Sequence, residues 1–173
     1  ILMGSIDLSV EGTLSVSAMV VVLLAANDAN GHDYGWWAVL AAVIAGTAMG
    51  FISGLVQTTL RIPSFMATLG MWFIGLGLSV YMLGGSAIRL NDASIRDLAL
   101  HRFFGLPLAV WVAFAAFLLA AVIQYHTKLG RHILAIGGDE DVAKLSGVNV
   151  VRVRITAFAL AGFFFGISGV LAA

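Results

Sequence analysis

The chain has 173 residues, of which 61% are hydrophobic and 10% charged, with a net charge of zero and no cysteine. A soluble domain ordinarily carries about 25% charged residues, and a soluble chain this apolar would expose large patches and aggregate, so a lipid bilayer is the environment that fits. The balanced charge gives no indication of a nucleic-acid partner, and the lack of cysteine excludes disulfides, thiol catalysis and cysteine metal sites.

The two ends of the chain are abrupt. No initiator methionine and no basic segment precede the first apolar stretch, and Asp7 and Glu11 interrupt it, so it does not have the pattern of a signal peptide. The last run, Ile155–Ala173, carries no charge and stops in mid-run. We expect a fragment of a longer membrane protein.

The first apolar segment has two interpretations. Thr13–Ala26 is about 14 residues long, which is short for a full span, and it follows apolar sequence with Gly, Ser and two acids embedded. One interpretation is a discontinuous helix: a half-helix ending near Gly4, a break, and a second half-helix. The other is a loop before a short span. Asp7 is either a functional acid at membrane depth or a helix cap in a wetter position.

Four longer runs predict membrane-spanning helices. The first, Trp36–Leu60, would be about 37 Å long as a helix, enough to cross a hydrocarbon core of roughly 30 Å. The second should run from Ser64 to about Leu83, with Pro63 in its first turn and Gly84 and Gly85 at its end. The remaining runs are Phe103–Tyr125 and Ile155–Ala173. The expected fold is therefore all-α: a polytopic transmembrane bundle with about five spans, the first one discontinuous.

The distribution of Lys and Arg predicts the orientation. The side of the long polar loop His126–Arg154 should hold six such residues: Arg61, Lys128, Arg131, Lys144, Arg152 and Arg154. The opposite loops should hold three: Arg89, Arg96 and Arg102. The excess favours a cytoplasmic position for the long loop, with three tryptophans near the outer interface: Trp36, Trp37 and Trp111.

Small residues predict how two of the spans pack. Gly46, Gly50 and Gly54 form two successive GxxxG steps, and Gly162 and Gly166 form another. Without side chains at these positions, helix backbones can approach closely and gain dispersion contact.

The polar loop, residues 126–154, contains the pattern of a short helix. Asp139 can cap its N-terminus, while Glu140 and Asp141 favour the first turn. Lys144 lies four residues after Glu140, which suits an ion pair, and Gly147 can end the helix.

Such a helix is too short to be stable alone in water, so it needs something to pack on. Val142 and Leu145 share a face that could dock on a partner. The alternative is a solvated connector whose charges keep it out of the membrane.

Catalytic and metal-binding motifs are not found. The histidines share no metal-ligand spacing, the acids 139–141 lack the spacing of a calcium loop, and no GxxxxGK[ST] loop is present. We therefore expect no metal site and no ATP hydrolysis by this chain.

Three stretches together resemble one family. They are GSIDLSVEG at 4–12, RIPSFMATLGM at 61–71 and LGRHILAIGGDEDVAKLSGVNVVRV at 129–153. Their order and spacing resemble the membrane permease subunit of bacterial ABC importers for monosaccharides, the ribose/xylose/galactose class. The resemblance covers Ile1 to Ala173, roughly the middle half of a typical member.

The resemblance implies a set of partners. They are a cytoplasmic ATPase that holds ATP and Mg, a periplasmic sugar-binding protein, and a second permease subunit, usually an identical copy, in the bacterial inner membrane. The chain itself would be a translocation subunit without cofactor and without enzymatic activity.

The resemblance also implies site residues. The segment that couples to the ATPase would comprise Gly138, Asp139, Glu140, Val142, Ala143, Leu145, Ser146 and Gly147. The discontinuous first helix would lie close to the translocation path, with Ser5, Asp7 and Ser9 as the residues at the path.

The sequence departs from the family pattern at Ser5 and Glu11, where glycine is usual, and at Asp139, where asparagine is frequent. The added charge of Glu11 leaves the exact solute open. Branched-chain amino-acid permeases share a similar loop and are the alternative. An ion-driven carrier is a more distant one, because the four long runs contain no acidic residue.

Overall fold

The structure is a computed structural model that describes residues 2–29, 31–84, 88–92, 95, 97 and 101–173. The described residues form seven helices: α1 Val10–Leu24, α2 Trp36–Leu60, α3 Ser64–Leu83, α4 Leu108–His126, α5 Lys128–Gly138, α6 Glu140–Leu145 and α7 Val150–Ala172. Two short antiparallel strands, β1 Arg102–Phe103 and β2 Leu106–Pro107, precede α4. Gly85 and Arg96, for which the sequence made predictions, lie outside the described residues.

The predicted all-α polytopic bundle is confirmed. Among the described residues, four helices are long and apolar enough to cross a membrane: α2, α3, α4 and α7. The fifth, α1, has 15 residues, which as a helix extends about 22 Å, short of the hydrocarbon thickness. The chain is a multi-pass membrane protein.

Several boundaries differ from the prediction. α1 begins at Val10 rather than Thr13, and α7 begins at Val150 rather than Ile155, so that it carries two arginines in its first turns. α4 begins only after Pro107. The residues before it turn back as a hairpin, because Phe104 and Gly105 both have positive φ, 52° and 80°. Such a pair of positive angles suits the tight turn of a two-residue hairpin.

The core of the bundle is the crossing of α2 and α7. A Cβ atom added at Gly46 would lie 2.7 Å from the Gly162 carbonyl oxygen and 2.7 Å from the Gly166 Cα. Only glycine therefore permits this backbone approach, as the GxxxG pattern predicts. α1 packs against α2, α3 and α7, whereas α4 contacts mainly β2 and α5, and none of its residues is buried.

Loops at the two ends of the bundle agree with the predicted alternation. Arg61 lines the same cavity as Lys144 and Arg154 of the polar loop. At the other end, Asn27 pairs with Leu90 in an isolated bridge, and the Asp28 carboxylate accepts a hydrogen bond from the Arg89 backbone N–H.

A candidate site where three sequence motifs meet

The segment before α1 is extended and bound to α3. The N–H of Ile6 donates to Ser64 Oγ at 3.0 Å, and the N–H of Leu8 donates to Thr68 Oγ1 at 3.0 Å. Backbone that is not helical must find such partners when it lies within a membrane protein. Ser64 and Thr68 are one turn apart in α3, so their hydroxyls lie on one face and serve two alternate residues of the extended strand.

This contact joins the first two motifs, and sequence reasoning missed it. The sequence signal that could have predicted this contact is the i, i+4 spacing of Ser64 and Thr68, two hydroxyl residues in an otherwise apolar run.

Asp7 holds the chain just before α1, but it does not cap the helix. Its Oδ1 accepts hydrogen bonds from the N–H of Ser9 at 2.9 Å and from the Ser9 hydroxyl at 2.6 Å. Ser9, which is 1% exposed, occupies the N-cap position and makes no side-chain capping bond. The capping alternative for Asp7 is therefore wrong, because the carboxylate closes a local turn three residues before the first helical residue. Its other oxygen, Oδ2, is buried and has no hydrogen-bond partner among the described residues.

The short helix α6 has the ends that its sequence predicts. Asp139 Oδ1 accepts from the N–H groups of Asp141 and Val142, at 2.9 and 3.0 Å. At the other end, Gly147 has a φ of 82°, its N–H bonds to the Lys144 carbonyl, and the N–H of Val148 bonds to the Ala143 carbonyl. These two bonds constitute a Schellman motif, in which glycine is favoured because it adopts a left-handed conformation without steric cost.

Opposite faces of α6 have opposite environments. Ala143 is 3% exposed and packs in an apolar cluster with Ile136, Val150 and Val153. Val142 is 58% exposed and Leu145 is 89% exposed. Ala143 thus fixes α6 to the bundle, while the two larger apolar side chains point away from it.

Ion pairs also fix α6 to α7. Lys144 Nζ lies 2.8 Å from Glu140 Oε1 within the helix, and Arg154 of α7 pairs with the other carboxylate oxygen of Glu140. The hydrogen bond from Lys144 lowers the pKa of Glu140 below its ordinary value of 4.5; desolvation opposes this shift, and the positive charge of Arg154 adds to it. The carboxylate is therefore held ionised between two cations.

The polar loop contains a second helix, α5, that sequence reasoning missed. Leu129, Ile133 and Ile136 recur at the i, i+4, i+7 spacing of an amphipathic helix, and all three belong to the cluster around Ala143. That spacing was the available signal. Gly137 of α5 is in backbone contact with the Leu2 carbonyl, which connects the third motif to the start of the chain.

The three motifs line one open cavity of about 750 Å³. Its wall includes Gly4 and Ser5 from the first motif and Arg61 to Ser64 from the second. The polar loop and the start of α7 contribute Glu140, Lys144, Val150, Val151 and Arg154, and α2 contributes Gln57 and Thr58. A second cavity, of about 310 Å³, is lined by Ser5 and Asp7 together with residues of α5 and α7.

The site residues predicted from the sequence therefore lie in two places: in the extended segment before α1 and in the segment 138–147 of the polar loop. Ser5 and Asp7 face cavities, while Ser9 is buried and supports the Asp7 carboxylate. The segment 138–147 forms the end of α5 and the whole of α6; Gly138, Ser146 and Gly147 are exposed at its turns. Within the described residues, no group of three or more His, Asp or Glu is placed to hold a metal ion.

Comparison with known proteins identifies the class. A family model described as "Branched-chain amino acid transport system / permease component" matches residues 1–173, and the chain belongs to that family. No solved structure matches the chain.

Curated relatives carry more particular names. The ribose import permease protein RbsC of Escherichia coli K12 is 32% identical over 175 residues, which are 99% of this chain and 53% of that protein. The L-arabinose transport system permease protein AraH of the same organism is 32% identical over 170 residues, 98% of this chain and 51% of that protein. The chain spans about half the length of these relatives.

Proposed function

We propose that the chain belongs to the permease subunit of an ATP-driven ABC importer that translocates a monosaccharide across the bacterial inner membrane. The names of the relatives support a sugar as the solute, since one is a ribose import permease and the other an L-arabinose permease. The description of the family model favours the alternative, a branched-chain amino acid. An ion-driven carrier has less support, because the four long helices contain no Asp or Glu.

The observation that carries the proposal is the exposed apolar face of α6. Val142 and Leu145 extend from a helix whose two ends are capped and whose other face is buried at Ala143. A six-residue helix gains little stability on its own, so its caps, ion pairs and cluster hold it in a fixed position. We assign the segment Gly138–Gly147 to contact with a cytoplasmic ATPase, which would hold ATP and Mg.

Motion of α6 has a route into the bundle. Glu140 connects α6 to Arg154 in the second turn of α7, and α7 meets α2 at the glycine crossing, where the backbones touch. Closely packed elements move together rather than deform. A partner that displaces α6 would therefore transmit that displacement to α7 and, through the glycine crossing, to α2.

The translocation path, in this proposal, passes the extended segment. Ser5 and Asp7 offer hydrogen-bonding groups at cavities between this segment and the neighbouring helices, and Ser9 keeps the Asp7 carboxylate oriented. A periplasmic sugar-binding protein would deliver solute from the outer side. A second copy of the subunit would complete the path.

The coupling role is tested by a substitution that places a charge on the exposed apolar face of α6. Leu145→Asp in the full-length protein, reconstituted with its ATPase and binding protein, should abolish solute-stimulated ATP hydrolysis and uptake while leaving the spans folded. Leu134→Asp is the matched control, because Leu134 is also an exposed leucine of the polar loop, on α5. Equal uptake by the Leu145 and Leu134 variants would refute the coupling assignment.

The solute is tested separately. Uptake into proteoliposomes should be measured with labelled ribose, L-arabinose and leucine, each with a panel of loaded binding proteins. Stimulation by a monosaccharide and none by leucine is the expected result. Leucine uptake without sugar uptake would replace the proposal with the amino-acid alternative.

A further inference from the structure

Two residues that line the cavity where the three motifs meet have a buried polar atom without a partner among the described residues. Gln57 is 5% exposed, and its Oε1 accepts no hydrogen bond from the described residues. Arg154 Nε is likewise buried without a partner in the described part of the chain. An unpaired buried acceptor costs about 1–3 kcal/mol, so a ligand hydroxyl that reaches Gln57 Oε1 from the cavity would remove that cost.

The charge of the cavity favours an anion. Its wall contains three cationic side chains, Arg61, Lys144 and Arg154, against the single carboxylate of Glu140. That carboxylate already pairs with Lys144 and Arg154. No carboxylate of the described residues lies within ion-pair distance of Arg61. A guanidinium without a counter-ion is a good partner for a phosphate oxygen pair.

One uncapped helix N-terminus adds to this potential. α3 begins at Ser64 with no side-chain cap, and Ser64 lines the cavity. α7 begins beside the cavity as well, at Val150, but the Asn149 side chain already accepts a hydrogen bond from the N–H of Arg152. The first N–H groups of a helix have no partner within it, and the helix dipole there favours negative charge. The volume of about 750 Å³ lies within the range of sites for small organic ligands.

We infer that this cavity is a binding site for a small phosphate ester that carries free hydroxyl groups. The phosphate would lie near Arg61 and the start of α3, and a hydroxyl would donate to Gln57 Oε1. Such a ligand would bridge the α2–α3 turn and the start of α7, next to α6. Two sources share this chemistry: a soluble sugar phosphate, and the glycerol-phosphate headgroup of phosphatidylglycerol.

Binding is measured on the full-length protein, without any transport assay, so the result is separate from the proposed function. In detergent, D-ribose 5-phosphate is titrated by calorimetry, with D-ribose as the uncharged comparison. In nanodiscs of phosphatidylcholine with or without phosphatidylglycerol, native mass spectrometry counts the phosphatidylglycerol retained by the protein. Arg61→Gln and Gln57→Leu are the test variants. Arg131→Gln is the control, because Arg131 is an exposed arginine of α5 that is not part of the cavity wall.

A soluble ligand is supported if ribose 5-phosphate binds and Arg61→Gln raises its Kd by about tenfold or more, the loss expected for a charge-assisted hydrogen bond. Gln57→Leu should raise the Kd by a smaller factor, and Arg131→Gln should leave it unchanged. A lipid headgroup is supported if phosphatidylglycerol is retained by the wild type and the Arg131 variant and lost by the Arg61 variant. The inference is overturned if neither phosphate ester binds, if ribose binds as tightly as its phosphate and phosphatidylglycerol is not retained, or if the Arg61 and Arg131 variants behave alike in both assays.

Discussion

The glycine crossing of α2 and α7 allows a quantitative test of what holds this bundle together. Gly46→Ala adds one methyl group at the junction of three helices. The new Cβ would lie 2.7 Å from the Gly162 carbonyl oxygen, 2.7 Å from the Gly166 Cα and 2.8 Å from Ser17 Oγ of α1. Two of these neighbours are backbone atoms, which cannot rotate away, so the helices themselves must separate.

The size of the separation sets the size of the effect. Ordinary van der Waals contact begins near 3.4 Å, so α2 and α7 must move apart by about 0.7 Å. A gap of that size forfeits a quarter to a half of the dispersion energy of the atoms that lose contact. Dispersion is a main source of helix association in a membrane, and overpacking of this kind typically costs 1–3 kcal/mol. We expect Gly46→Ala to lower the free energy of unfolding by about that amount.

The assay is equilibrium unfolding of the purified protein by SDS titration in mixed micelles, with helical circular dichroism as the readout. Gly77→Ala in α3 is the matched control, because a Cβ at Gly77 would meet no atom within 4 Å. It makes the same chemical change in an apolar helix and corrects for helix propensity. If Gly46→Ala is as stable as Gly77→Ala, the close backbone approach does not hold the bundle together and the reasoning fails.

Three further predictions concern the candidate site. Thr68→Val should destabilise the protein because the N–H of Leu8 loses its acceptor; hydrogen bonds between membrane segments contribute about 0.6 kcal/mol on average and up to about 1.7 kcal/mol. Thr58→Val is the control in the same SDS titration, since the Thr58 hydroxyl bonds only within its own helix. Equal losses in the two variants would contradict the assignment. Asp139→Ala removes the acceptor of two N–H groups and should destabilise α6 by about 0.5–2 kcal/mol. The measurement is hydrogen exchange of residues 140–148, which should become faster in the variant. Unchanged exchange would show that the cap is dispensable. The pKa of Glu140 is lowered, chiefly by its hydrogen bond from Lys144, so the stabilisation of α6 by the ionised carboxylate should be complete above pH 4.5 and lost as the pH falls through the lowered pKa. Hydrogen exchange of α6, corrected for intrinsic rates, should show this loss in the wild type and not in Glu140→Gln. The same pH profile in both proteins would rule out the ion pair as the cause.

The membrane-spanning helices, and the residues that cap α6, were predictable because each depends on residues close together in the sequence. A long uncharged run must be helical in a bilayer whatever surrounds it, and Ser64–Leu83 was predicted with its observed bounds. The Asp139 cap and the Gly147 turn depend on residues within one helix. The apolar spacing of α5 is also a local signal. Its polar residues nevertheless led to the prediction of one undivided polar loop instead of a separate amphipathic helix.

Boundaries were less predictable where a charge lies inside a helix. The sequence predicts that the last span begins at Ile155, because Arg152 and Arg154 precede it. The helix nevertheless begins at Val150, since Arg154 finds a counter-ion in Glu140, and pairing removes the cost that an isolated charge would have.

The sequence by itself determined three features of this protein. They are the several crossings of the membrane, the positions at which glycines permit close helix packing, and the residues at which α6 begins and ends. Each follows from the solvent or from neighbours within about one helical turn. Only the tertiary structure decided which groups share a site. Ile6 and Ser64 are 58 residues apart, yet they bond directly, and Arg61 and Arg154 line one cavity from opposite halves of the chain. Such contacts depend on how the helices cross, and helix crossing is set by the packing of the whole bundle.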